Sequence, residues 1–362
     1  MTRQIDEALT ALDYSLVGPR GKEAMEAGLS QGEWYKCPIP RPLLKELMRR
    51  SDVPGLRDTA LWIGAMAVTG ATGALLWGSW AAVPLFVVYG VLYASGGEAR
   101  WHECTHGTAF KTPWINDLVY QIACFCAMRD PTVSRWSHTR HHTDTYVIGR
   151  DPEIVGFRPP DILRHCVAFL GLREFPESCW LMLMHATGRL TVEEAQYVPE
   201  TERAKVTVTA RWWLLVYVFT VAGCIASGSL LPAMLVGLPR IYGVWFIQFV
   251  ALPQHVGLLD DVLDHRLNTR TVRMNPLARF IYWNMNYHIE HHMFPMVPYH
   301  QLPRLHEAIR GDCPPAYPNI RAAYAEIVPT LLRQRSDPSY RVVRPIPGPA
   351  NSEEKYLSVA PG

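Results

Sequence analysis

Three short clusters of histidine have the spacing expected of metal-binding helices. They are His102-x3-His106, His138-x2-His141-His142 and His288-x2-His291-His292. Residues three and four positions apart share one face of an α-helix, so the imidazoles of each cluster can point to one place. Imidazole is a ligand for iron, zinc, copper and nickel. The sequence therefore predicts a histidine-rich metal site.

The number of histidines indicates how many metal ions the site holds. Eight histidines exceed the four ligands of one tetrahedral metal, so the clusters predict two ions. A ninth ligand is needed if each ion is to be five- or six-coordinate with an open position. His255 is the best candidate, because it lies at the end of an apolar segment, where ionisable side chains are usually functional. The alternative is a lone interfacial histidine that hydrogen-bonds to the backbone.

Other polar residues are expected to surround the clusters. His265 is predicted to be solvated or to contact a ligand, His300 and His306 to pack or cap, and His165 and His185 to be structural. Metal-bound histidines usually donate their second N–H to a carboxylate or carbonyl. The candidate carboxylates are Glu103, Asp144, Asp151, Glu153, Asp260, Asp261, Asp264 and Glu290.

Two long apolar stretches must position the clusters. Residues 60–97 contain no charged side chain, and residues 212–259 contain only Arg240. Each stretch is too long for one span of about 20 residues and suits two. The prediction is an all-α integral membrane fold with four transmembrane helices in two hairpins, at about 60–78, 80–98, 211–229 and 240–258. A large soluble protein with very buried helices is the alternative.

The charges that flank these stretches predict their orientation. Lys and Arg lie outside both hairpins, whereas the turns within the hairpins carry almost no charge. The positive-inside rule then places both termini and the long 98–211 segment in the cytoplasm. All three clusters fall on that side, in a cytoplasmic helical cap that holds the di-metal site. Arg240 is expected either to snorkel at the outer interface or to mark the end of a substrate channel.

Composition excludes several other classes of protein. Of the 362 residues 49% are hydrophobic and 19% charged, which excludes a disordered chain, and the net charge of +2 gives no support to nucleic-acid binding. The eight cysteines form no CxxC pair, so neither a zinc ribbon nor a disulfide framework is indicated. Three regions are predicted: a cytoplasmic N-terminal region (1–58), a membrane domain (59–310) and a cytoplasmic tail (311–362).

The boxes and hairpins together resemble the integral-membrane fatty acid desaturase/hydroxylase superfamily, over about residues 58–310. The third box, from Asn286 to Pro295, is similar to that of bacterial lipid desaturases. Residues 254–300 are similar to a bacterial subgroup that includes the rhizopine-catabolism hydrocarbon oxygenases. The chain departs from the stearoyl-CoA type, which has four residues in the gap of its first box and an Asn at the position of Ala251.

The resemblance implies two iron ions held by the eight box histidines, with His255 matching the extra histidine of the superfamily. It implies O2 as co-substrate, a lipid or hydrocarbon substrate, and a multi-pass protein of the bacterial inner membrane with its active site in the cytoplasm. Fatty acid desaturation is predicted first, and hydroxylation or monooxygenation of a hydrocarbon or lipid-like substrate second. A non-redox zinc membrane protein is the remote third alternative.

The electrons for this chemistry are expected to come from outside the chain. The sequence contains no haem-binding His-Pro-Gly-Gly, no dinucleotide fingerprint and no ferredoxin cysteine set. A separate ferredoxin-type donor with its reductase is therefore predicted. The cytoplasmic Lys and Arg residues are expected to receive it, and examples around the second box are Arg135, Arg140, Arg150 and Arg158.

Overall fold

The computed structural model describes residues 12–347, and this part of the chain is built from helices. Within that range there is no β-strand, and two isolated bridges join Thr271 to Tyr287 and Val272 to Tyr317. The predicted all-α class is confirmed for the described residues.

The helices before and including the second box are α1 (Arg20–Glu26), α2 (Arg41–Leu47), α3 (Asp52–Leu75), α4 (Ala82–Gly90), α5 (Gly96–Thr105), α6 (Pro113–Ala127) and α7 (Pro131–Thr143). Those that follow are α8 (Ile162–Phe169), α9 (Glu174–Ala186), α10 (Arg203–Ser227), α11 (Leu231–Leu235), α12 (Pro239–Tyr242), α13 (Trp245–Ala251), α14 (His265–Asn268), α15 (Pro276–Ile281), α16 (His288–Met293), α17 (Leu302–Ile309) and α18 (Ile320–Gln334). Single 3-10 turns occupy Glu194–Gln196, Glu200–Glu202, Leu252–Gln254 and Tyr299–Gln301, and a π-helical turn occupies Val91–Ser95.

The first hairpin is formed by α3 and by one continuous helix that contains α4, the π-helical turn and α5. Helix α3 begins at Ser51, whose side chain accepts a hydrogen bond from the backbone N–H of Val53, as a capping serine does. The continuous helix spans Ala82–Thr105 and is long and apolar enough to cross a membrane. Because the first box lies at its end, this helix carries that box directly to the site.

The second helix that is long and apolar enough to cross a membrane spans Glu200–Ser227 and includes α10. Only 6% of the apolar 18-residue stretch within this helix is buried inside the protein. Side chains such as Phe219, Val221 and Ile225 are largely exposed. A helix that exposes apolar side chains along its length suits contact with lipid better than contact with water.

The predicted four-span arrangement is not confirmed. Instead of one helix over 240–258, the structure has the short helices α12 and α13 and the 3-10 turn that follows them. Pro239 begins α12, Gly243 ends it, and Pro253 lies in the 3-10 turn, so the i to i−4 hydrogen bonds of one helix cannot continue through this segment. Gly243 also lies against Gly90, where a Cβ atom would come within 1.8 Å of the Gly90 carbonyl oxygen.

Arg240 is held inside the protein, so the predicted snorkelling at the outer interface is wrong. Its side chain is 2% exposed and lies 2.6 Å from the carboxylate of Glu98 in α5. The same carboxylate lies 3.0 Å from Arg129 and accepts a hydrogen bond from the indole of Trp101. The buried Glu98 carboxylate therefore ties the broken part of the second hairpin to the helix that carries the first box.

The segments outside the hairpins pack against the site. In the N-terminal region, Tyr35 N–H donates to the Leu263 carbonyl at 2.9 Å, and residues 1–11 lie outside the described range. In the region predicted as a tail (311–362), the described residues after α18 contain no helix, yet Val342 N–H donates to the Gly257 carbonyl at 2.8 Å. Residues 348–362 also lie outside that range.

Replacing Arg240 with Leu should destabilise the protein by about 3 kcal/mol, because it leaves a buried carboxylate with one partner fewer. The measurement is the free energy of unfolding in detergent micelles. Arg304→Leu is the control, since its ion pair with Glu46 is about half exposed and such pairs contribute about 0–1 kcal/mol. A variant of Arg240 as stable as the control variant would contradict the assigned role.

Candidate metal centre

The nine histidines predicted as ligands converge in two groups. The first group is His102, His106, His138, His142 and His291, and the second is His141, His255, His288 and His292. Within each group the ligand nitrogens all lie within 4.8 Å of one another. The second and third boxes each contribute to both groups, so the two groups are neighbours.

Each box is positioned by a local feature of the chain. His102 lies on α5 and His106 directly after it, at the end of the long helix of the first hairpin. Helix α7, which carries the second box, begins at Asp130, whose side chain accepts from the N–H groups of Thr132 and Val133. The third box is the short helix α16, and His255 follows the 3-10 turn at the end of the broken segment.

Hydrogen bonds on the outer ring nitrogens fix how four of these imidazoles are protonated. Nδ1 of His138 lies 3.0 Å from Glu153, Nδ1 of His141 lies 2.9 Å from Asp151, and Nδ1 of His255 lies 2.9 Å from the Asn268 carbonyl. Each partner is an acceptor, so each Nδ1 carries the proton and each Nε2 has a free lone pair.

The Thr145 side chain likewise holds the proton of His292 on its Nδ1 atom. Its hydroxyl donates to the His141 carbonyl at 2.7 Å, so its oxygen accepts from Nδ1 of His292 at 3.2 Å. Nδ1 of His288 contacts the Gln254 side-chain amide at 3.1 Å. The inward-facing Nε2 atoms of the four imidazoles that hold their proton on Nδ1 can therefore only accept; they belong to His138, His141, His255 and His292.

The Nε2 atoms face one another at distances that suit a shared cation. His106 and His142 place Nε2 at 3.1 and 3.2 Å from Nε2 of His138, and His102 and His291 are 2.9 Å apart. Adjacent ligands at right angles on an ion with bonds of about 2.1 Å are about 3 Å apart. Lone pairs that face each other repel, and a positive ion between them removes the repulsion. The residues therefore fit two metal ions.

The protonation of the box histidines is suppressed by their surroundings. Burial lowers the pKa of His106 to about 4, from an ordinary value of 6.5. Burial, and then repulsion from neighbouring histidines, lowers the pKa of His142 and of His292 well below 6.5. His141 is the exception, since burial is outweighed by the Asp151 carboxylate, which raises its pKa. Neutral imidazole is the form that binds a metal.

The family model described as fatty acid desaturase matches residues 78–324, which is more than half of the chain. The chain belongs to the fatty acid desaturase family. The matched residues include all nine convergent histidines.

Similar proteins include three plant desaturases. A chloroplastic omega-3 fatty acid desaturase of Ricinus communis is 23% identical over 283 residues, which are 70% of this chain and 58% of that protein. An endoplasmic-reticulum acyl-lipid omega-3 desaturase (cytochrome b5) of Arabidopsis thaliana is 23% identical over 62% of each chain. A chloroplastic omega-6 fatty acid desaturase of Glycine max is 21% identical over 76% of this chain and 66% of its own. The matched part of the chain thus spans less than two thirds of each relative.

Only two of the eight carboxylates that the sequence offered as partners contact a box histidine directly, namely Asp151 and Glu153. The others make ion pairs or hydrogen bonds around the site. For example, Asp144 lies 3.1 Å from Arg150, and Glu290 contacts His306 and Thr271. The partners that sequence reasoning missed are uncharged: Thr145, the Asn268 carbonyl and Gln254.

The remaining histidines lie outside the two groups. His265 is buried and lies beside His292, with 5.1 Å between ring centroids. His306 contacts Glu290, and His185 lies 3.1 Å from Glu194. His165 and His300 are partly buried. Their expected structural roles stay predictions.

A cavity of about 570 Å³ leads to both groups of histidines, reaching His102 from the first and His141, His255 and His288 from the second. Its apolar wall includes Met182, Ile247, Leu252, Tyr282 and Met285. Its polar wall includes Glu98, Arg129, Asp130, Glu194 and Arg240. Arg240 therefore lines the space that a substrate would enter, which agrees with the channel alternative predicted for it.

Two of the four arginines predicted to receive an electron donor are committed to partners inside the chain. Arg158 is 3% exposed and forms an ion pair with Asp260, and Arg150 is paired with Asp144. The more exposed Arg135 and Arg140 also have acidic neighbours. Of these four examples, Arg135 and Arg140 are the more exposed, and the docking of a donor on basic residues stays a prediction.

Glu153→Ala should reduce the affinity for iron by about 10–100-fold, because it removes the carboxylate that orients His138. Glu153→Gln should be milder, since its amide oxygen can accept the same hydrogen bond. The measurement is iron retained against a competing chelator. Glu177→Ala is the control, as this carboxylate is half exposed and pairs with Arg173. Equal retention in all the variants would contradict the orienting role.

The metal-free protein should lose stability as the pH falls below about 6.5. Burial lowers the pKa of His265 to about 3 and that of His106 to about 4, so the unfolded chain binds more protons between pH 4 and 6.5. Outside the two long apolar helices three described groups act in the opposite sense, because burial raises the pKa of Asp130 and of Asp261 to about 6 and the Asp151 carboxylate raises that of His141. The histidines whose pKa is lowered outnumber these groups.

The measurement is the midpoint of thermal unfolding of the metal-free protein from pH 8 to pH 5, with the range from pH 7 to 8 as the internal reference. The unfolding midpoint should be nearly constant from pH 7 to 8, and it should decrease when the pH is lowered further. A midpoint that rises on acidification would show that the carboxyls dominate.

Proposed function

We propose that this protein oxidises unactivated C–H bonds of a lipid or acyl chain with O2, and that its main reaction is fatty acid desaturation. Membership of the fatty acid desaturase family supports an oxidoreductase of this type. The observation that carries the proposal is the convergence of the histidines into two groups, both of which contribute residues to the cavity wall. We expect all nine histidines to be the ligands of two iron ions.

The bound irons would supply the activation of O2 and the removal of hydrogen, using two external electrons in each turnover. The protein's own residues do the rest. Asp151 and Glu153 keep the Nε2 lone pairs of His141 and His138 directed inward. The apolar wall of the cavity, with Met285 and Ile247, can hold a hydrocarbon chain and exclude water beside the ligands.

We further propose that residues 59–310 form the membrane domain, with several spans and the metal centre on the cytoplasmic side of a bacterial inner membrane. The two apolar helices and the exposed apolar surface of α10 support insertion in a membrane. The positive charge on the flanks supports the orientation.

Hydroxylation of a lipid or hydrocarbon is the second candidate, and one observation favours it. The cavity wall beside His102 carries the charged side chains of Glu98, Arg129 and Arg240. Such a wall can hold a polar group near the oxidised carbon, including a new hydroxyl. A zinc protein without redox chemistry is disfavoured, since nine convergent histidines exceed the needs of one zinc ion.

The test is incubation of the purified, iron-loaded and reduced protein with candidate acyl lipids under O2, followed by mass spectrometry of the products. Desaturation gives a product with two hydrogens fewer, and hydroxylation gives one with an added oxygen. His142→Ala and His291→Ala should lose activity and iron while staying in the membrane, because both lie outside the apolar spans. Full activity in either variant would contradict the ligand assignment.

A further inference from the structure

Four aromatic rings form a column that runs from the surface of the protein to the metal centre. The indole of Trp34 stacks on the imidazole of His265, with centroids 4.2 Å apart and an interplanar angle of 5°. His265 is followed by His292 at 5.1 Å, and His292 stacks on His142 at 4.3 Å and 19°. His292 and His142 belong to different histidine groups, so this ring column reaches both.

The outer end of the ring column is held firmly in place. The indole N–H of Trp34 donates to the Thr143 carbonyl, at 3.0 Å, where helix α7 ends. The next residue, Tyr35, donates its N–H to the Leu263 carbonyl and lies under the guanidinium of Arg266, 3.4 Å from the ring centroid. Trp34 itself is partly exposed and lies between the exposed residues Glu33 and Lys36.

The inner residue, His265, has no other evident function. It belongs to neither histidine group, it is 3% exposed, and its Nδ1 has no hydrogen-bond partner among the described residues. A buried polar atom without a partner is costly and requires an explanation. A leucine could fill this space without that cost, but it could not continue the contact between aromatic rings.

The ring column and the cavity approach the centre through different histidines. The cavity is lined by His102, His141, His255 and His288, whereas neither His142 nor His292 lines it. A bound substrate would therefore leave the ring column free. Electrons must reach the centre while substrate fills the cavity, and a second approach through other ligands makes this possible.

We propose that Trp34 and His265 conduct electrons from a protein with a one-electron redox group to the metal centre. This inference rests on the proposed function, which requires two external electrons. In each cycle two reduced carrier proteins each lose one electron, and two ferric ions each gain one. No atom or proton is transferred. Each electron tunnels from the carrier through the stacked rings of Trp34 and His265 to His292 and His142 without reducing either ring, so only the iron changes oxidation state.

The experiment uses the iron-loaded, full-length protein without O2 and follows the oxidation of reduced ferredoxin by its visible absorbance in a stopped-flow instrument. Trp34→Leu and His265→Leu interrupt the ring column, and both should slow the oxidation by about tenfold or more, as substitutions next to metal ligands commonly do. Trp34→Phe and His265→Phe keep an aromatic ring and should stay near the wild-type rate. Trp180→Leu is the matched control, since Trp180 is 65% exposed and far along the chain in α9.

Two further measurements separate conduction from a structural role. Dithionite, which is small enough to enter the cavity, should reduce the iron of all variants at the wild-type rate. The affinity of metal-free His265→Leu for the ferredoxin should equal that of the wild type, because this side chain is buried behind Trp34. A defect that appears only with the protein carrier supports the proposal.

The proposal is overturned if both Leu variants oxidise ferredoxin at the wild-type rate. It is also overturned if dithionite and ferredoxin are slowed equally, because Trp34 and His265 would then only support the fold of the centre. A wild-type protein that holds no iron reducible by dithionite would overturn the proposed function itself. That failure is recognised in the wild type alone, before any variant is compared.

Discussion

The whole structure depends on holding nine imidazole nitrogens against one another in a buried space. The Nε2 contacts of 2.9–3.2 Å bring together lone pairs that repel when no ion lies between them. The outer nitrogens therefore need acceptors that hold the protons there, and four imidazoles have them. Burial adds the second condition, since it keeps most of these histidines neutral at neutral pH.

The helices around the centre follow from this constraint. A short helix such as α16 cannot hold its three histidines in place alone, so Glu290 is fixed by His306 and Thr271, and Thr145 joins the second box to the third. The long helix of the first hairpin is fixed through Glu98, whose two arginine partners come from other segments. Because the segment around Gly243 is not one continuous helix, Arg240 lies against that carboxylate and His255 lies in the second group.

The convergence of the box histidines could be predicted from the sequence because helical spacing is local. Residues three and four positions apart share a face whatever surrounds the helix, so the three boxes predicted eight of the nine convergent histidines. His255 was found because an ionisable side chain beside an apolar segment is rarely accidental. The broken helix over 240–258 was missed because the hydropathy of a segment does not depend on where Pro and Gly interrupt its hydrogen bonds.

The outer contacts could not be predicted, because they depend on how distant segments meet. Asp151 and Asp260 look alike in the sequence, yet one contacts His141 and the other contacts Arg158. Thr145 and the Asn268 carbonyl carry no charge that would mark them out. Trp34 lies more than 200 residues before His265, and only the folded chain shows that their rings stack.

The cavity and the ring column reach the metal centre through different histidines, so we assign them different functions. The cavity reaches His102, His141, His255 and His288, and its wall combines apolar side chains with the buried charges around Glu98. The ring column contacts His142 and His292, neither of which lines the cavity. A substitution in the cavity wall should therefore alter which substrate is oxidised, and one in the ring column should alter how fast the centre is reduced. Because the two sets share no histidine, the cavity wall and the proposed electron path can vary independently of each other.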